Sequence, residues 1–174
     1  MSMNPLWCMV AGPVITYIFT SLEKRNIDLS TATKVSFAFV LTAIAFGILT
    51  FAAKNIGSDV ILRPEIFLVI HFFQAFAEVI VGSMVVAFIL SVAPKDIENF
   101  SVSLFSVAIA LSGIVGAVLS TSIALKKDQA VTQEIVQNIY GGYFSTLTIW
   151  AVVMVVLAMV SSVVIRKMLG AGND

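Results

Sequence analysis

Five long apolar runs, separated by short polar clusters, organise the chain: residues 5–22, 35–53, 66–93, 100–125 and 143–165. A helix crossing the roughly 30 Å hydrocarbon layer needs about 20 mostly apolar residues, so each run predicts a transmembrane helix. The clusters between the runs read as membrane exits. Glu23-Lys24-Arg25 follows the first run, and Asp28 and Ser30 precede the second. Asn55, Gly57, Asp59 and Arg63-Pro64 lead into the third, where Pro64 suits a first helical turn. Pro94 and Lys95-Asp96 end the third, Lys126-Lys127-Asp128 opens a longer polar stretch reaching Gly141-Gly142, and Arg166-Lys167 ends the fifth. The expected fold is all-α: a polytopic transmembrane helix bundle of five spans, forming one membrane domain over residues 1–174.

Composition sharpens this reading. The chain is 59% hydrophobic and 11% charged, with mean hydropathy +1.03. A soluble fold of that composition would expose large apolar patches and associate, whereas lipid removes the problem. Ten basic and ten acidic residues give zero net charge, which excludes an electrostatic footprint for nucleic acid. Lys24, Arg25, Lys34, Lys95, Arg166 and Lys167 fall on one side of the membrane and Lys54, Arg63, Lys126 and Lys127 on the other. That excess predicts a cytoplasmic C-terminus and an external N-terminus, in a membrane read as the bacterial inner membrane. No basic residue precedes the first run, so it reads as an internal helix rather than a cleaved signal peptide, whose apolar core is also shorter.

Little in the sequence points to an enzyme. One cysteine, Cys8, and one histidine, His71, cannot build a disulfide framework or a Cys/His zinc site, and no metal or organic cofactor is expected. A glycine-rich phosphate loop, a His-Glu-x-x-His helix and a nucleophile elbow are all missing from the sequence.

The polar residues inside the runs carry the candidate chemistry. Glu78 is the one Asp, Glu, Lys or Arg within any run. An acidic residue at mid-membrane costs roughly 2.5–3.5 kcal/mol on insertion scales, so something must offset it. It reads either as a carboxylate facing a water-filled cavity, binding a cation or carrying a proton, or as a structural carboxyl bonded between helices. His71, Gln74 and Glu78 are three and four residues apart, which places them on one helix face continuing to Gly82, where a helix or ligand could approach. His71 is read as an interfacial histidine or a proton relay. Gly12-Pro13 predicts a break in the first run. Asn4 reads as a helix cap on position alone. Ser112, Gly113, Gly116 and Ala117 form a small-residue face suited to close helix packing, and Phe72, Phe73, Phe76, Phe105 and Trp150 read as packing or lipid contacts.

Asn4-Pro5-Leu6-Trp7, Pro13, the stretch from Leu29-Ser30 to Lys34, Phe73-Gln74 followed by Glu78, and Ala93-Pro94 stand in an order and spacing that resemble the proton-coupled oligopeptide transporters of the major facilitator superfamily. The resemblance covers nearly the whole chain and implies a partial C-terminal half, helices eight to twelve of twelve. It implies a fragment of a di-/tripeptide symporter, with small peptides and protons as partners, the proton as coupling ion, and an N-terminal half that is missing here. It also implies a substrate site: Asn4 and Glu78 near the peptide's amino terminus, with Gln74 and Phe105 beside them. Three positions depart from the family pattern: Ala77 replaces a glycine, Gly82 replaces a serine with Ser83 next door, and Phe105 stands for a tryptophan. These departures keep open a superfamily transporter of another small solute, such as an amino acid or nitrate. A non-transporting membrane scaffold or channel subunit, with Glu78 structural, is the remaining alternative.

Overall fold

The computed structural model describes residues 3–27, 29–125 and 130–170, with side chains through residue 164. Asp28, Lys126, Lys127 and Asp128 lie outside the described residues, as do the side chains of Arg166 and Lys167. The helices are α1 (Asn4–Glu23), α2 (Thr31–Lys54), α3 (Pro64–Val92), α4 (Glu98–Thr121), a short α5 (Gln133–Ile135), a π-helical turn (Val136–Tyr140) and α6 (Gly141–Gly170). Five stretches are long and apolar enough to cross a membrane, the last being the continuous Gln133–Val164. This is an integral membrane chain.

The helix ends follow from their residues. Pro5 and Pro64 occupy first turns, where a missing N–H leaves no bond unmade. Ser30 caps α2, its Oγ accepting from the Thr33 N–H at 3.3 Å. Ala93 turns extended before Pro94 and stops α3. The fourth run was expected to stay helical to Leu125, yet α4 ends at Thr121. There the N–H groups of Ser122, Ile123 and Ala124 turn to carbonyls three residues back, and the hydroxyls of Ser120, Thr121 and Ser122 also donate to the carbonyls of Ala117, Val118 and Leu119.

Two expectations about glycine and proline change. The helix through Pro13 is unbroken from Asn4 to Glu23, although Pro13 has no N–H to donate to the preceding turn. Gly141-Gly142 does not begin the last span either, because helical structure already starts at Gln133, whose Nε2 donates to the Ile56 carbonyl at 3.0 Å. Gly141 instead permits close approach: a Cβ there would lie 3.0 Å from Lys54 Cγ.

Helix packing joins α1 to α3, α3 to α2, and α2 to α6, with α4 set against α3. Alanines let the backbones approach: Ala11, Ala38, Ala45 and Ala75 are wholly buried. Around Ala11 and Ala38 a core cluster adds Ile15, Leu41, Phe76, Ala77 and Ile80. Hydroxyl pairs fasten α2 to α6 towards both ends, Thr33 with Ser162 at 3.3 Å and Thr50 with Thr148 at 3.0 Å. In contrast, α4 has no buried residue, and its Gly113 and Gly116 face open space. The small-residue face expected to pack closely has no partner helix among the described residues.

Candidate substrate site

The site is built where α1 begins and α3 passes its middle. Met3, not Asn4, is the N-cap of α1, and the Asn4 side chain is used elsewhere. Its Nδ2 donates to Glu78 Oε2 at 2.9 Å, bridging 74 positions of sequence. The cap reading of Asn4 is therefore corrected. The amide is needed across the helix interface because Glu78 offers only acceptors when ionised.

Glu78 is nevertheless exposed, and among the described residues it has no ion-pair partner. One neutral amide satisfies one acceptor position of a carboxylate that can accept about four bonds. The remaining capacity faces open space, and a cation carrying several donors is its natural complement. The amide oxygen of Asn4 is approached at 4.0 Å by the thiol of Cys8, one turn further along α1, a donor too weak to hold it strongly.

The other expected site residues are less closely drawn together. Gln74 is half-buried on α3, and its side chain makes no hydrogen bond among the described residues. Phe105 is half-buried on α4 and belongs to none of the ring pairs formed among the described residues. The structure thus brings Asn4 and Glu78 into contact and leaves Gln74 and Phe105 without a direct bond to them. His71 is half-buried, with a buried Nδ1 that has no partner among the described residues.

Aromatic packing sets the wall beside the pair. Trp7, one turn after Asn4, meets Phe72 edge-on with centroids 5.3 Å apart, and Phe72 in turn contacts Phe73 and Phe76. This clamp fixes the first turn of α1 against α3, and with it the Asn4–Glu78 bond. Trp7 and Cys8 were not singled out as site residues by sequence. The available signal was their position within one turn of Asn4.

Of the two departures from the resembled pattern near Glu78, the structure accounts for Ala77 and not for Gly82. Ala77 is buried in the core cluster, so its methyl group fills packing space where glycine would leave a gap. Gly82 has nothing within 4 Å of a built Cβ, so no described element uses the close approach it was expected to allow. Ser83 donates its hydroxyl to the Val79 carbonyl at 2.6 Å.

No family model matches the chain, and no solved structure matches it. Curated relatives do. Dipeptide and tripeptide permease B of Yersinia enterocolitica is 25% identical over 162 residues, covering 90% of this chain and 32% of the permease. The permease B of Salmonella typhimurium is 27% identical over 164 residues, covering 91% and 33%. That of Edwardsiella piscicida is 25% identical over 167 residues, covering 93% and 33%. The chain spans about a third of the length of the curated relatives it matches. Over some nine-tenths of its own length, it is a sequence relative of the peptide permeases, the transporter family that its motifs resemble.

Proposed function

We propose that this chain forms part of a proton-coupled di-/tripeptide symporter, corresponding to helices eight to twelve, and that Asn4 and Glu78 receive the amino terminus of the peptide. One observation carries the reading: an exposed carboxylate in the middle of an apolar span, bonded to a single amide at 2.9 Å and to no cation among the described residues. An ammonium group supplies the missing charge and donors, and its binding offsets the cost of a carboxylate at that depth. The names of the relatives agree with a peptide as the bearer of that ammonium.

The reading divides the work of transport between helices. Residues of α1 and α3 hold the amino terminus, and α2, itself packed on α6, braces α3. The remaining walls come from a second bundle, because rocking of one bundle against another gives alternating access. The complete transporter, reconstituted into liposomes with an imposed inward proton gradient, is expected to accumulate labelled di- and tripeptides. Equal uptake with and without the gradient would remove proton coupling from the proposal.

Orientation follows from the basic residues, six on the side of the C-terminus against four on the other. A reporter fused after Asp174 is expected to be active only in a cytoplasmic assay. Activity of an export-dependent reporter at that position would reverse the topology.

A further inference from the structure

A second polar feature lies away from the Asn4–Glu78 bond. From Asn4, the polar and small positions of α1 continue as Cys8, Gly12, Thr16 and Thr20, four residues apart, and end at Glu23. Each such step turns about 40° around the helix, so the stripe winds slowly along α1. Its lower part is open: a cleft of about 360 Å³ runs between α1 and α3, lined by Gly12, Thr16 and Thr20 on one side and Val79 and Ser83 on the other. Thr16, Thr20 and Ser83 are exposed. The hydroxyls of Thr16 and Ser83 donate to backbone carbonyls of their own helices, which leaves their oxygen lone pairs turned outward as acceptors for water.

The far end of this cleft is closed by charge. Glu23, the last residue of α1, pairs through Oε1 with Lys34 Nζ of α2 at 3.2 Å, and this is the one ion pair among the described residues. The Lys34 side chain is only 13% exposed, whereas that of Glu23 is 53% exposed. Lys34 also lies 5.0 Å over the centre of the Phe19 ring, which adds a cation–π contact. The pair therefore joins a covered cation to a half-exposed anion. Both residues line the cleft, and both sit at the membrane face where α1 ends and α2 begins. Along their lengths, α1 packs on α3 rather than on α2, so the pair is a tie across a seam that helix packing does not close.

We propose that the α1–α3 cleft is a hydrated route from the Glu78 site to the membrane face, and that the Glu23–Lys34 pair, seated on Phe19, is the clasp that closes it. The proposal rests on the reading of Glu78 as a cavity carboxylate and adds the residues that control its access from one side. Opening requires only that Glu23 swing into solvent. Lys34 stays over Phe19, which keeps the α2 side of the mouth in place. A partly exposed ion pair is weak enough to open and close thermally, as a clasp must.

The test places a cysteine in the cleft of the complete transporter. Ser83→Cys is labelled from the face of Glu23 with a small charged methanethiosulfonate reagent, and the rate is read as the increment over the parent's own cysteines. Glu23→Gln is expected to raise that rate by roughly two- to fivefold, the range that loss of a partly exposed pair supports. Lys34→Gln should act in the same direction. Because Lys34 is mostly covered and its loss could disturb folding, the exchange Glu23→Lys with Lys34→Glu is the deciding variant, expected to return the rate towards the parent's. Equal labelling in all four backgrounds, or an exchange no slower than either single variant, would overturn the clasp. Labelling needs no transported solute, so absent peptide uptake alongside the expected labelling pattern would remove the peptide reading and leave the clasp standing.

Discussion

Replacing Glu78 by glutamine in the complete transporter is expected to abolish or strongly weaken peptide uptake while membrane insertion and protein level stay unchanged. The two halves of that result come from one physical change. Glutamine has the same shape and keeps an acceptor for the Asn4 amide, so the interhelical bond at 2.9 Å can persist. Removing the charge also relieves the cost of holding a carboxylate at mid-membrane, so stability should hold or rise. A bound ammonium, however, loses its counter-charge in a low-dielectric cavity. Breaking such a pair costs on the order of 2–5 kcal/mol, or about thirty- to several-thousand-fold in affinity. Asn4→Ala should cost less, roughly 0.5–1.5 kcal/mol, because it removes a neutral hydrogen bond. If Glu78→Gln instead lowers the amount of inserted protein and the remainder transports at the parent's rate, Glu78 serves packing between α1 and α3 only.

The 174-residue chain by itself is expected to show no proton-driven peptide accumulation in liposomes, a complete loss relative to the full transporter. The geometry of its surfaces explains why. Glu78 is exposed and α4 has no buried residue, so both present faces that nothing in the chain covers among the described residues. The chain also spans only about a third of the length of its permease relatives. An open carboxylate can bind a cation, but alternating access needs a second body to close over the site from each side in turn. Measured uptake of labelled dipeptide by the purified chain, at a rate comparable with the full transporter, would mean that copies of the chain assemble a complete cavity among themselves.

Much of the fold was legible because lipid imposes a simple length rule, and the apolar runs met it one by one. What the sequence concealed was which face of each helix packs. In water the buried face is apolar and the outer face polar, but in a membrane both are apolar, so periodicity loses its meaning. Nothing in the run at 100–125 distinguishes α4, which buries no residue, from the run at 35–53, whose Ala38 and Ala45 are wholly covered. The polar lead-in at Gln133 hid the start of the last span, because its helix is held by a bond to the Ile56 carbonyl that no local pattern announces.

The site was legible to a similar depth. A lone acid in an apolar run stands out, which is why Glu78 was found from residue type alone. Its bond to Asn4 spans 74 positions and was not expected: the resemblance placed both residues near a peptide amino terminus, while position alone made Asn4 a cap. The Glu23–Lys34 pair was missed altogether, since charged residues at membrane exits normally read as solvated loop markers. Its significance depends on the cleft beside it and on the covered state of Lys34, neither of which composition reveals.

The most direct measurement of the central claim compares two peptides that differ only at the amino terminus. Competition against a labelled dipeptide is measured with a free-amine peptide and with its N-acetylated form, in the parent transporter and in Glu78→Gln. If Asn4 and Glu78 receive the ammonium, the parent prefers the free amine by about thirtyfold or more, and the variant loses most of that preference. A parent that does not distinguish the two peptides, or a Glu78→Gln variant that keeps the full preference, would contradict the assignment and place the amine elsewhere.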